Sequence, residues 1–299
     1  MPAPRYIIYT PSYSAAIGGV IVEHKLCHTL NQLGETAFVA PMPVKSYGGR
    51  RKRMMRWLFP PPFRTLPGLD TPVLQARKAT DNDIVLYPEL AGNNPLSAKN
   101  VVHWLLNRPS FHNRKVHAGP DDLFFIYDDR CDEPELTKGK AETLFLFSPN
   151  PTYRRTNFGP RKGSCYMVRK AKGRPLVHDL TDSIQVDNLS HEDMNRVFNE
   201  CETFYCYDEM SSYSQFAAIC GCTSVVIPWH FKDQAEFVAS YPLSRYGVAY
   251  GEENIPHAIA TQGQVADYLL ECERNGLDSV RNFIKVTRKA FGFPPPASP

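Results

Sequence analysis

The sequence predicts an α/β protein made of two domains, each built on a parallel sheet. Three observations carry that prediction. Short apolar runs, too short for helices, recur between polar or glycine-containing turns. Amphipathic stretches at helical spacing alternate with them. The chain has 299 residues, which favours two domains over one, and Ser148–Lys162 divides it with a polar, proline-containing stretch that has no periodicity.

Arg5–Thr10 (RYIIYT) reads as a buried first strand rather than a signal peptide. A loop, Pro11–Gly19, leads to a helix from about Val20 to Leu33. There Val22, Leu26, Thr29, Leu30 and Leu33 share a face, and Gly34 ends it. Thr36–Ala40 is the next strand, so the opening is a βαβ unit. Residues 41–72 break the pattern with proline, glycine and arginine. Strands resume at Asp83–Leu86, Val101–Leu106, Asp122–Tyr127 and Thr143–Phe147.

A second series begins with the strand Ser164–Val168 and the basic turn Arg169–Arg174. His178–Leu180 and Ser183–Val186 follow. Ser190 is placed to cap a helix with Glu192 and Asp193 in its first turn. That helix covers Met194–Cys201. Glu200–Pro228 then reads as strand (Phe204–Tyr207), polar turn, short helix, Cys-Gly-Cys stop and strand (Ser224–Pro228). Tyr246–Tyr250 is a late strand. Gln262–Asn275 and Asp278–Phe291 are two helices, the second capped by Asp278. The division is therefore 1–155, 156–276 and a final helix with its tail, 277–299.

Composition excludes little. The net charge of +3 names no partner, and 42% hydrophobic residues suffice for real cores. Eight scattered cysteines read as reduced and packed, and Cys220-Gly-Cys222 is too tight for a CxxC site. No run reaches membrane-span length, which suits a cytoplasmic protein.

Candidate sites lie where strands end. Gly18 and Gly19 would let an anion approach a helix N-terminus, or simply make a tight turn. Arg169, Lys170 and Lys172 follow a strand and suit a diphosphate, or are a solvated charge run. Asp208 and Glu209 can accept hydrogen bonds from sugar or ribose hydroxyls. Ser211 and Ser212 can hold phosphate or cap the next helix. Arg50–Phe59 mixes cations with large apolar residues, as an interfacial segment facing anionic headgroups does. Nucleic acid would fit its charge, with steeply salt-dependent binding. Asp121-Asp122 and Asp128-Asp129 lack DxD spacing, and His103, His112 and His117 lack HExxH spacing, so no metal is expected. His103 in VVHWLL reads as a packed strand residue, and His112 as a candidate general base.

FYCYDEMSSYSQFAAICGCTSVVIP resembles the donor-site segment of GT-B glycosyltransferases. IGGVIVEHKLCHTLNQLG resembles their N-terminal Gly-Gly loop and first helix. YMVRKAKGR lies where they keep an Arg/Lys pair, and SIQVDNLSHEDMNRVFNECETFYCYD resembles the stretch leading into the donor site. The resemblance covers most of 164–230 and about 5–34. It implies two Rossmann-like domains facing each other across a cleft, and metal-independent transfer of a sugar from a nucleotide-sugar to a glycan or lipid-linked glycan. It implies Lys170 and Asp208 as catalytic residues. Gly18, Gly19, Arg169, Lys170, Lys172, Asp208, Glu209, Ser211 and Ser212 would bind the donor. Nucleic acid is not the expected partner, and peripheral contact with an anionic membrane would run through Arg50–Phe59. One position departs from the pattern: Phe216 stands where many retaining members carry a second, ribose-binding glutamate, with Gln215 beside it. The alternative is a non-catalytic glycan- or nucleotide-binding relative.

Overall fold

The structure, a computed structural model, describes residues 2–15, 17–43, 62–66, 68–75, 78–91, 93–112 and 115–296, with only the backbone of Phe111 and His112. The Arg50–Phe59 segment and the His112 side chain therefore lie outside the described residues. The chain divides into two compact units, 1–148 with 273–299, and 149–272. Each holds a parallel sheet, so the fold class read from the sequence is the one observed.

The first unit runs β1 (Arg5–Thr10), α1 (Gly18–Gln32), β2 (Thr36–Pro41), β3 (Asp83–Pro88), β4 (Asn100–Leu105), β5 (Leu123–Ile126), α2 (Pro134–Thr137) and β6 (Glu142–Thr143). The strand order is β2-β1-β3-β4-β5-β6, every pair parallel. β3 and β4 are buried along their whole length, which is why they read as unbroken apolar runs. The apolar stripe of α1, with Leu26 and Leu30, packs on one face of the sheet against Tyr6, Ile8 and Trp104. Val280, Phe283 and Ile284 of the last helix, Val265–Ala290, join the same core.

Four expectations are corrected in this unit. Gly18 and Gly19 are not in a loop but form the first turn of α1. The strand expected over Thr143–Phe147 stops at Thr143: the Leu144 amide still makes the ladder bond to the Ile126 carbonyl of β5 at 2.9 Å, but the Phe145 amide leaves the sheet for Ser279 Oγ at 2.9 Å. The two C-terminal helices are one. Gly276 is not a break, since a Cβ there would meet Leu146 Cα at 3.5 Å, so the glycine allows a close approach. Asp278 caps nothing and pairs with Arg281 one turn on, at 2.7 Å.

The second unit runs β7 (Ser164–Met167), β8 (Ser183–Gln185), α3 (His191–Glu200), β9 (Thr203–Cys206), α4 (Tyr213–Ile219), β10 (Thr223–Val226), α5 (Gln234–Ser240), β11 (Val248–Tyr250) and α6 (Ile255–Thr261). The order is β11-β10-β9-β7-β8, again wholly parallel. Ser190 caps α3 as expected, its Oγ accepting from the Asp193 amide at 3.1 Å. His178–Leu180 is not a strand; His178 turns inward, stacks on Tyr205 and hydrogen-bonds Tyr207 Oη at 2.7 Å. Residues 149–155, grouped by composition with the first domain, pack in this unit because Tyr153 stacks on Phe216 at 4.4 Å. Arg161 ties the unit together below the sheet. Its guanidinium donates to the carbonyls of Phe198, Cys201 and Cys220, the open ends of α3 and α4, at 2.6–3.3 Å.

Candidate functional site

Parallel sheets present ligand sites at the carboxyl ends of their strands. In the second unit the loops after β7, β8, β9 and β10 carry almost every residue singled out in the sequence. After β7 the chain turns at once, and Arg169 takes a left-handed backbone with φ of 43°. A side chain pays for that conformation, so something must hold it. The Asp187 carboxylate, just after β8, does so by accepting from the Val168 amide at 3.1 Å and the Arg169 amide at 2.6 Å. The Arg169 guanidinium lies over the Tyr213 ring at 5.1 Å, and its Nε is 4.0 Å from Asp208 Oδ2. Lys170 and Lys172 are exposed.

Asp208 is buried at the end of β9. Burial pushes its carboxyl above the ordinary range, while Lys170 and then Arg169 pull it back down. The site thus combines a desolvated acid with cations on the neighbouring loop.

Glu209 has a different occupation. Its Oε1 accepts from the amides of Trp229 and His230 and from Tyr250 Oη at 2.7–2.9 Å, and its Oε2 meets His230 Nδ1 at 2.5 Å. Burial alone would raise this carboxyl, but the bonds from Tyr250, His230 and Trp229 hold it below its usual value. It fixes the loop after β10. Ser211 Oγ accepts from the Tyr213 amide at 3.4 Å, the opening of α4, and Ser212 Oγ lies 3.5 Å from Tyr241 Oη. Gln215 is buried, its amide oxygen accepting from Ser244 Oγ at 2.8 Å and its nitrogen donating to the carbonyls of Ser211 and Ser212 at 3.3 Å. Phe216 lies parallel to Tyr153, 8° from coplanar.

The sequence reading counted Arg174 in the basic turn but did not foresee its partners. Arg174 reaches back across two strand ends, donating to the carbonyls of Tyr207, Ile227 and Pro228 at 2.8–3.2 Å, with its guanidinium 4.5 Å from the Trp229 ring. Asp187, Trp229 and His230 were missed. The only sequence signal for them was position, two to four residues past a strand.

The first unit has its own strand-end cluster. Ile17 precedes α1 without a side-chain cap, and the first turn holds no acid. A Cβ on Gly18 would meet nothing within 4 Å, but on Gly19 it would press on Leu106 Cδ1 at 3.3 Å. One turn into the helix, Glu23 is buried, with Oε2 2.5 Å from Thr10 Oγ1. Glu89, after β3, is buried too and accepts from the Leu106 amide at 3.1 Å. Burial pushes Glu23 up to about 8, with Glu89 adding to the rise, and Glu89 up to about 7. His103 is a packed strand residue bonded to Asp122 at 2.8 Å.

No protein-family description matches this sequence, and no curated protein matches it. Solved structures similar to it over nearly the whole chain include an alpha-glucosyltransferase in complex with UDP and a 13-mer DNA containing a HMU base. That chain is 11% identical, with 97% of this chain and 100% of that one covered, at a TM-score of 0.46. A spinosyn forosaminyltransferase is 10% identical over 97% and 99%, at 0.44. A putative UDP-N-acetylglucosamine 2-epimerase from Listeria monocytogenes is 12% identical over 99% and 99%, at 0.42. Likeness at this level carries no activity or substrate to this chain.

Proposed function

We propose that the protein is a glycosyltransferase that draws on a nucleotide-sugar held at the carboxyl edge of the second sheet. One observation carries the reading: Arg169 is held in a left-handed conformation by Asp187, beside the buried Asp208 and next to the exposed Lys170 and Lys172. A braced arginine with mobile lysines beside it at a strand end suits a diphosphate. In this reading Arg169 and Lys170 neutralise the charge that grows on the leaving diphosphate as the glycosidic bond to it breaks. Lys172 adds a mobile charge. Asp208 orients the sugar by accepting from a hydroxyl, and the turn Ser211–Ser212 closes the pocket wall. The acceptor is a glycan or lipid-linked glycan, and Gly18 and Gly19 leave the open end of α1 approachable in the first unit. The reaction as proposed uses these cations rather than a metal.

The test is calorimetric titration with uridine, guanosine, adenosine and thymidine diphosphates, followed by donor hydrolysis and transfer assays. Absence of binding by every nucleotide would sink the proposal. Phe216 favours a second reading, a nucleotide-binding relative without turnover, because its place against Tyr153 leaves no carboxylate at the start of α4. Transfer with any donor–acceptor pair removes that reading; tight binding with no turnover across the panel supports it.

A further inference from the structure

The loop after β10 combines two properties that seldom coexist: it is rigidly held, and it presents large side chains to solvent. Trp229 is 60% exposed, and the His230 side chain is 72% exposed. Exposed aromatic residues on a loose loop would need no explanation. These are not loose. The Trp229 amide donates to Glu209 Oε1 at 2.7 Å and Tyr250 Oη at 2.9 Å, and the Phe231 amide donates to Tyr250 Oη at 3.0 Å. The Arg174 guanidinium supports the indole from one side and holds the two preceding carbonyls.

His230 is oriented in the same way. Its Nδ1 meets the buried Glu209 carboxylate, which makes Nδ1 the protonated nitrogen of the neutral ring. Its Nε2 has no partner among the described residues, so in that tautomer it offers a lone pair to solvent. The Trp229 and His230 rings stand at 86° with centroids 6.4 Å apart. An apolar face and a hydrogen-bond acceptor thus meet at a corner. Glu209 follows Asp208 directly, so this corner belongs to the same strand-end edge as the cations of the loop after β7.

We propose that Trp229 and His230 form the sugar subsite of this edge. The ligand class is a hexose-type ring carried on a nucleoside diphosphate. Its C–H face lies on the indole, and one of its hydroxyls donates to His230 Nε2. Glu209 is the positioning residue that fixes the tautomer. The chemistry follows from the ligand: a sugar ring has an apolar face edged by hydroxyls, and a stacking surface set beside an acceptor reads both. This inference rests on the proposed nucleotide-sugar reading and names the part of the site that would recognise the sugar.

The test separates the sugar from the nucleotide. Uridine, guanosine, adenosine and thymidine diphosphates and their diphospho-hexoses are titrated against the intact chain and against Trp229→Ala, Trp229→Phe and His230→Ala. Both alanine variants should weaken binding of the diphospho-hexose at least tenfold and leave binding of the matching nucleoside diphosphate within twofold. Trp229→Phe should recover most of the loss. These side chains are exposed, so circular dichroism should show all three folded as the parent. In 15N spectra, Glu209→Gln should alter the His230 tautomer signature. Diphospho-hexose binding that is unchanged in both alanine variants, while the nucleotides still bind, overturns this inference alone. Equal loss for nucleotide and nucleotide-sugar overturns it as well, since the corner would then hold the nucleotide. No binding of either class by the parent chain overturns both this inference and the reading beneath it.

Discussion

Replacing Glu23 by glutamine should remove much of the alkaline sensitivity of this fold. Glu23 is buried on α1 under the carboxyl edge of the first sheet, and its carboxyl keeps its proton up to about 8 against an ordinary 4.5. Burial sets the direction. The Thr10 hydroxyl donates to Glu23 Oε2 at 2.5 Å, which favours the charged form, and burial outweighs it. Because the folded value lies above the unfolded one, the fold binds the proton more tightly than the unfolded chain does. The stability tied to this group is complete below about 4.5, falls as pH rises from there to about 8, and stays lost above. The gap corresponds to roughly 5 kcal/mol at about 1.4 kcal/mol per pH unit, an upper bound that relaxation reduces to about 2–5 kcal/mol. Glu89, raised to about 7, loses stability in the same direction. The assay is urea unfolding of the parent and Glu23→Gln at pH 5, 7 and 9. At pH 5 the two should agree within about 1 kcal/mol, since a glutamine amide oxygen can also accept from the Thr10 hydroxyl. At pH 9 the variant should be more stable by about 2–5 kcal/mol. A stability difference that is the same at pH 5 and pH 9 would refute the reasoning, because Glu23 would then not titrate between them.

Gly18→Ala should leave unfolding unchanged or stabilise by up to about 1 kcal/mol, because the added methyl meets nothing and replaces a helical glycine; a fall in donor or acceptor affinity would then mark a ligand at the start of α1. Arg161→Ala should cost about 2–3 kcal/mol in urea unfolding by uncapping α3 and α4, with nucleotide affinity unchanged. Phe216→Ala should cost about 3 kcal/mol, a buried ring lost from its stack on Tyr153. Lys170→Ala, an exposed change, should leave stability within about 0.5 kcal/mol but lower nucleoside diphosphate affinity about tenfold and flatten its salt dependence.

The sheets were legible because strands buried on both faces leave unbroken apolar runs. β1, β3 and β4 were read within a residue or two of their observed bounds. Shorter helices escaped because they bury too little to leave a period: α5 buries Phe237 and α6 buries Ala258. Glycine misled once: Gly18 and Gly19 look like loop residues yet begin a helix. Gly276 lies inside the last helix, against the backbone at Leu146. The candidate site was legible to the extent that position alone defines it: Arg169, Lys170 and Asp208 each follow a strand. Side-chain partnerships between strands left no trace in the sequence. Asp187 holding the Arg169 turn and Arg174 bracing two strand ends depend on which strands are neighbours, and the order β10-β9-β7-β8 is not written in the chain.

Phe216 shows how one substitution can be absorbed by the residues around it. A glutamate there would sit against the face of Tyr153, whose hydroxyl is already bonded to His191 Nδ1 at 2.6 Å. The His191 ring in turn lies 13° from parallel with Tyr213, the ring beneath the Arg169 guanidinium. Phe216 therefore belongs to a closed aromatic cluster with Tyr153, His191 and Tyr213, meeting Tyr213 edge-on at 5.8 Å, and Tyr213 carries the cation proposed to meet the diphosphate. A charge introduced at 216 would be desolvated inside that cluster, with Gln215 already committed to Ser244 and to the turn carbonyls. Phe216 instead backs the ring over which the Arg169 guanidinium lies. Phe216→Leu keeps an apolar fill but not the stack. It should therefore weaken nucleoside diphosphate binding more than its modest effect on unfolding would suggest, and equal losses in the two measurements would show that the cluster does not orient Arg169.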